Sequence, residues 1–169
     1  QGMCVMGTDG VQVWDCAFFV QYFFMTGLAE DPLYIPFVKK AYAFLCRSQF
    51  DTECEPNSFR DKRKGGWPFS TKPQGYTVSD CTAEAMKAII MVKNSELYKD
   101  VHHLFDNERL YDSVDVLLNL QNTGNFEYGS FSTYEPIKAP LLLEALNPAE
   151  VFGNIMVEYP YVECTDSSV

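Results

Sequence analysis

Phe44-Leu45-Cys46-Arg47-Ser48-Gln49 closes an apolar segment with helical spacing and leads to Gly65-Gly66-Trp67. Val116-Leu117-Leu118-Asn119-Leu120-Gln121 follows the same plan and leads to Gly129-Ser130-Phe131. In each phrase a glutamine at a helix end offers a carboxamide to orphan backbone groups, and an aromatic ring beyond a glycine covers the chain reversal. This weak internal repeat predicts helices tied in succession by ordered connections, residues 50–79 and 122–146, both rich in Gly, Pro, Asn and Ser. Loops longer than about 12–15 residues are uncommon in a compact domain unless they are functional, disordered or specially packed.

Outward from these phrases, helical spacing predicts segments at 11–26, 33–48, 82–93 and 107–121, and no stretch alternates convincingly as a strand. The expected class is therefore all-α. Thr8-Asp9-Gly10 supplies a turn and a capping side chain ahead of the first segment. Val13, Trp14, Ala17, Phe18, Val20, Phe23 and Phe24 make that segment apolar nearly all round, so burial on several sides is expected. In the second, Phe37, Ala41, Phe44 and Leu45 form the buried stripe while Lys39, Lys40 and Arg47 face elsewhere. The 82–93 segment repeats that amphipathic plan, as does 107–121 through Leu110, Val114, Leu117 and Leu118. A short fifth helix is expected from Asn147-Pro148-Ala149-Glu150, with Asn as cap, Pro at the first position and Glu at the third.

With 169 residues, 47% of them hydrophobic, the chain has the length and composition of one core-forming domain. A formal charge of −10 repels phosphate backbones and anionic headgroups, which argues against nucleic acid as a partner. The most hydrophobic stretch, 11–25, is interrupted by Gln12, Asp15 and Gln21 and is shorter than the roughly 20 apolar residues of a spanning helix. Gln1-Gly2-Met3-Cys4 shows no initiator methionine, basic start or signal segment, so the chain is expected to be cut from a longer protein. Cys4, Cys16, Cys46, Cys54, Cys81 and Cys164 lack both Cys-x-x-Cys spacing and the dense spacing of secreted scaffolds. Reduced, buried thiols are expected rather than a disulfide-stapled binding module. His102-His103 has no Cys or Glu at ligand spacing and reads as a solvated loop pair, so no metal site is expected.

Val78-Ser79-Asp80-Cys81-Thr82-Ala83-Glu84 sets an acid beside a thiol at the start of a short apolar helix. With Gly65-Gly66-Trp67, Asn147-Pro148-Ala149-Glu150-Val151-Phe152-Gly153 and Tyr161-Val162-Glu163-Cys164-Thr165, it resembles the oxidosqualene cyclases, and in particular their fungal, yeast-type members. The resemblance runs the length of the chain. It implies an α/α-barrel of the terpenoid cyclase type with glutamine-to-tryptophan repeats, degenerate here because Phe131 stands where Trp is preferred and Ala41 where Gly is. Residues 1–169 would form the central portion of such a protein, an incomplete barrel domain. The implied activity is cyclisation of (S)-2,3-oxidosqualene to lanosterol, without metal or organic cofactor. Cyclases that form cycloartenol, protostadienol or amyrins share the Asp motif; the run from Asn122 to Phe131 resembles the yeast-type sequence and favours lanosterol. The implied location is the cytosolic face of the endoplasmic reticulum membrane and lipid droplets, reached through parts outside this chain. Taken by itself, the chain has another reading: an inactive helical fragment that associates with other protein segments or with itself.

By residue type alone, Asp80 just ahead of a helix is an N-cap, a role that lowers a carboxyl pKa, and Cys81 and Cys164 are core thiols. An acid that opens an epoxide needs the reverse, a carboxyl kept neutral by apolar surroundings. The resemblance places the family's proton donor at Asp80 and its orienting thiols at Cys81 and Cys164. Thiols are weak donors, so they orient an acid without neutralising it as Lys or Arg would. The resemblance also implies Trp14, Phe69, Tyr134 and Phe152 as cavity-lining aromatics, whose faces attract a cation without bonding to it. Tyr134 has a second implied duty in orienting the final proton acceptor, for which the family's histidine motif is absent from this chain. Trp67 is assigned to the repeat rather than to the cavity.

Overall fold

The computed structural model describes residues 10–58, 60–124 and 128–169. Among them the chain is all-helical: α1 (Gln12–Met25), α2 (Ile35–Ser48), α3 (Ser79–Lys93), α4 (Asn107–Leu120) and α5 (Val162–Ser168). Short 3₁₀ segments punctuate the connections, and among the described residues the only sheet-like pairings are the isolated bridges Gln121 to Phe131 and Ser132 to Pro160. The expected capping residues Thr8 and Asp9, together with Cys4 and Asn125, Phe126 and Glu127 of the yeast-type run, lie outside the described residues.

α3 is the centre of the assembly and packs against α1, α2, α4 and α5. Its composition allows this: Ser79, Cys81, Thr82, Ala83, Ala85 and Ala88 are small and buried, so neighbouring backbones approach on every side. The all-round burial expected of α1 belongs instead to the first half of α3; in its second half Lys87 and Ile90 are exposed. α1 buries Val13, Ala17, Val20 and Gln21 but leaves Phe18, Tyr22 and Met25 at 41%, 61% and 78% exposed, because α2 and α3 cover only one of its faces. α2 turns Val38, Tyr42, Leu45 and Cys46 inward and leaves Phe37 exposed, a face rotated from the expected one. α4, capped by the Asp106 carboxylate on the Arg109 amide at 2.9 Å, buries Ser113, Val116 and Leu120 while Val114 and Leu118 stay exposed.

The rotations of α2 and α4 share a cause. Gln49 donates from Nε2 to Gly65 O at 2.8 Å and Arg109 O at 3.0 Å, and its Oε1 accepts from Arg109 Nε at 2.8 Å. Ser113 Oγ joins this buried hub, 2.8 Å from both Gln49 Nε2 and Gly65 O. Buried polar groups must find partners, so the hub fixes which face of α4 turns inward. Trp67 is fully buried, donates from Nε1 to Leu45 O in the last turn of α2 at 2.8 Å, and stacks on Phe105 with centroids 5.9 Å apart. The ring therefore satisfies an orphan carbonyl of α2, the role that the sequence suggested for the glutamine.

The two long connections share one hydrogen-bond pattern. Phe50 N–H donates to Gly66 O and Gly65 N–H to Phe50 O at 2.9 and 2.8 Å; Asn122 with Ser130 and Gly129 repeats both at the same lengths. Gln121 Nε2 reaches Gly129 O at 2.9 Å as Gln49 reaches Gly65 O. Gly65 and Gly129 both hold positive φ, 101° and 87°, and a Cβ on Gly65 would collide with the Asp112 backbone. Beyond each glycine, the Trp67 and Phe131 amides donate to Thr82 Oγ1 and Thr165 Oγ1, each at 3.0 Å. Their carbonyls accept from Val78 N and Tyr161 N, also at 3.0 Å, the residues that precede α3 and α5.

The fifth helix expected at Asn147 does not form. Asn147 Oδ1 accepts from Ala149 N at 2.9 Å and its Nδ2 donates to Phe152 O at 2.7 Å, folding the segment into a local side-chain turn. Glu144 then takes the amides of Ile155, Met156 and Val157 at 3.3, 3.0 and 3.0 Å, so those donors go to a carboxylate instead of a helix ladder. His102 and His103 lie in a 3₁₀ helix, Glu96–Leu104, and the His102 ring sits 2.9 Å from Val92 O, so only His103 keeps the solvated character expected of the pair. Trp67→Ala is expected to destabilise the chain by about 3–5 kcal/mol, as deletion of a buried indole does. Urea denaturation followed by circular dichroism measures this, and a loss within experimental error would remove Trp67 as the tie between α2 and the connection.

Candidate functional site

The first turn of α3 carries Asp80 and Cys81. Val78, ahead of the helix, offers no side-chain cap, so the opening amides find other partners. Ser79 N–H donates to Thr133 O at 2.9 Å, Ser79 Oγ–H to Ser132 O at 2.6 Å, and Cys81 N–H to Asp80 Oδ1 at 2.7 Å. The connection around Thr133 is thus strapped across the start of α3. Asp80 stands inside the helix, not at the cap position, and its carboxylate takes one orphan amide from there.

The second carboxyl oxygen faces α5. Cys164 Sγ lies 3.7 Å from Asp80 Oδ2 and donates to it, and Thr133 Oγ1 lies 3.6 Å from the same sulfur. Asp80 is half-buried, while Cys81 and Cys164 are buried. Burial pushes the Asp80 carboxyl above its ordinary value; hydrogen bonds from the Cys81 amide, the Cys164 thiol and the Cys81 thiol oppose that rise without cancelling it. Burial, followed by the neighbouring Asp80 charge, drives the Cys81 thiol far up, and burial raises Cys164 as well. Both sulfurs keep their protons and remain donors.

Trp14 on α1 and Phe69 in the connection before α3 meet with ring centroids 5.8 Å apart, and Phe18 packs edge-on to Trp14 at 4.7 Å. Tyr134, 39% exposed, follows Thr133 and lies edge-on to Tyr76 at 5.8 Å. Phe152 is 68% exposed in an irregular segment and pairs with no other ring among the described residues, so it is not gathered into either aromatic group. Among the described residues no group of three His, Cys, Asp or Glu side chains could hold a metal ion, and no helix is long and apolar enough to cross a membrane.

Two carboxylates near the site escaped the sequence reading. Glu84, buried one turn along α3, accepts from Gln21 Nε2 at 2.7 Å and Lys87 Nζ at 3.0 Å, tying α3 to α1. Its only signal was its place in the acid–thiol motif. Half-buried Glu158 accepts from Thr133 N at 2.9 Å and Tyr134 N at 3.3 Å, and burial raises its carboxyl above the usual range. No local pattern marks it, because its partners lie far away in the chain.

The raised Asp80 pKa makes a prediction about stability. The unfolded carboxyl ionises near its ordinary 3.8 while the folded one holds its proton to higher pH, so ionisation costs the folded state stability as pH rises through the folded value. Asp80→Asn removes that cost. The variant is expected to gain stability relative to the parent at neutral pH, with the gain shrinking as pH falls through the folded value toward 3.8. Denaturation at neutral and acidic pH measures the difference, and a gain independent of pH would contradict the raised carboxyl.

No family model matches the chain. Over its full length it is 72% identical to the lanosterol synthase of Saccharomyces cerevisiae and 71% identical to that of Candida albicans. It is 43% identical, over 98% of its length, to the lanosterol synthase of Mus musculus. The chain spans 23% of the length of the two fungal relatives and 22% of the murine one. Identity at this level over the whole chain, together with the acid–thiol arrangement at the start of α3, places it: the chain belongs to the oxidosqualene cyclase family.

Proposed function

We propose that this chain supplies the proton donor and part of the cation-stabilising wall of a lanosterol synthase acting on (S)-2,3-oxidosqualene. The observation that carries this reading is the Asp80 carboxyl held by the Cys81 amide at 2.7 Å and the Cys164 thiol at 3.7 Å, with burial favouring its neutral form. As general acid, Asp80 gives its proton to the epoxide oxygen while the adjoining C–O bond breaks. The tertiary cation so formed is attacked by the next alkene, and the charge runs along the folding polyene. Methyl and hydride shifts and loss of a proton complete the isomerisation. The Cys81 amide and both thiols stabilise the carboxylate left behind, and they do so only after transfer.

Trp14, Phe69 and Tyr134 offer rings along this path, each contact contributing about 0.5–2 kcal/mol where desolvated. Phe152 joins them once parts of the protein beyond this chain cover its exposed segment. In this reading the two matched connections are repeats of an α/α-barrel, and membrane attachment at the endoplasmic reticulum and lipid droplets belongs to regions beyond these residues.

The exposed rings and side chains Phe18, Tyr22, Met25, Phe37 and Leu118 favour a second reading of the isolated chain, a fragment that self-associates through faces the remaining protein covers. Purified alone, it is expected to form no lanosterol by mass spectrometry. The decisive experiment is a chimera in which these residues replace the matching segment of the Saccharomyces cerevisiae enzyme. It is expected to cyclise oxidosqualene, and Asp80→Asn to lower turnover by at least about 10²–10⁴-fold with its circular dichroism unchanged. Parent-like turnover in that variant would remove Asp80 as the acid.

A further inference from the structure

Tyr134 sits in an irregular connection, which by itself fixes no ring orientation. Its backbone is held by Glu158, which accepts from the Tyr134 amide at 3.3 Å. The ring is met by Tyr76, edge-on, with an interplanar angle of 70°. Tyr76 is in turn covered on its face by the Arg60 guanidinium, 3.9 Å from the ring centroid. Arg60 also pairs with Glu135, the residue after Tyr134, at 3.4 Å. Glu135 pairs with Lys138 at 3.1 Å, and Lys138 with Asp61 at 2.7 Å, returning to the neighbour of Arg60. Opposite charges alternate around this closed ring, so the connections carrying Tyr76 and Tyr134 are clamped together. Single exposed pairs contribute little, but a network around a cation–π contact restrains several side chains at once.

We propose that Tyr76, held by Arg60, is a positioning residue that determines product by fixing the angle at which Tyr134 meets the late cation. The inference rests on Tyr134 bordering the reaction path as described above. Proton loss from a polycyclic cation has several competing sites of similar energy, so the pose of the nearest polar ring selects among them. An edge-to-face pair of this kind shifts a conformer ratio by about two- to tenfold, which sets the size of the expected effect. Tyr76 touches no reacting atom; it acts through Tyr134.

In the chimera, Tyr76→Ala is expected to raise the share of products other than the parent's main product by about two- to tenfold, with KM and circular dichroism unchanged. Tyr76→Phe keeps the ring pair and is expected to restore the parent's product ratio. Arg60→Gln, a surface change, is expected to shift the ratio in the same direction as Tyr76→Ala and carries the test should Tyr76→Ala fail to accumulate. Products are separated by gas chromatography and mass spectrometry. A parent-like ratio in Tyr76→Ala, or in Arg60→Gln where that variant carries the test, overturns the proposal, as does a Tyr76→Phe ratio as altered as that of Tyr76→Ala. Asp80→Asn in the same chimera separates the two ideas: an inactive Asp80→Asn beside an unchanged Tyr76→Ala sinks the positioning role alone, and an active one sinks the acid assignment.

Discussion

The docking of the start of α3 beneath the connection around Thr133 is the constraint from which the rest of the structure follows. A helix that packs against four others needs small side chains on most faces, and the Ser, Cys, Thr and Ala residues of its first half meet that need. Small residues also expose the helix amides to whatever lies above them, and here that is backbone. Thr133 O and Ser132 O take the Ser79 donors, which brings Thr133 and, through it, Cys164 against Asp80. Without that strap the Asp80 carboxyl would lose part of the burial that raises it.

The matched connections explain why two thiols meet at one acid. Val78-Ser79-Asp80-Cys81-Thr82 and Tyr161-Val162-Glu163-Cys164-Thr165 occupy corresponding places, each after an aromatic residue whose amide binds the threonine hydroxyl. Cys81 and Cys164 are thus the same position in successive units, both buried and both kept as thiols. The acids diverge. Glu163 lies on the open side of α5, whereas Asp80 is roofed by α5 and the Thr133 connection. The first unit has a second unit to cover it, and among the described residues the second has nothing equivalent, so a pattern present twice leaves one acid half-buried and the other exposed.

The sequence made the four long helices legible because apolar residues recur at helical spacing in each. It did not reveal which face turns inward. On α2 and α4 the buried face is chosen by Trp67, Phe131 and the Gln49–Ser113 hub, contacts between residues far apart in the chain, so periodicity pointed at Phe37, Val114 and Leu118, which stay exposed. α5 left no apolar stripe in Val-Glu-Cys-Thr-Asp-Ser-Ser; it docks through one sulfur and one hydroxyl. The reverse happened at Asn147, where good capping chemistry was spent on a side-chain turn and Glu144 took the amides beyond it. Asp80, Cys81 and Cys164 were legible through a resemblance, while Glu158 and Tyr76 act through partners that no local pattern joins to them.

The opposed effects on Asp80 show how a carboxyl in the first turn of a helix can hold its proton to higher pH than usual. The helix start, the Cys81 amide and the thiols all favour the anion, and in water they would make the residue a poor reservoir of protons. Burial works against them and dominates. If burial acted alone, the proton would be held but hard to release, since the carboxylate would be left without donors. If the donors acted alone, the proton would be lost to solvent at a lower pH than usual. With both present the proton is held to higher pH than in an ordinary carboxyl, and the anion is met by preformed hydrogen bonds when it forms. Replacing a thiol by a stronger donor would tip that balance toward the carboxylate, which is the physical reason a weak S–H group suits this position.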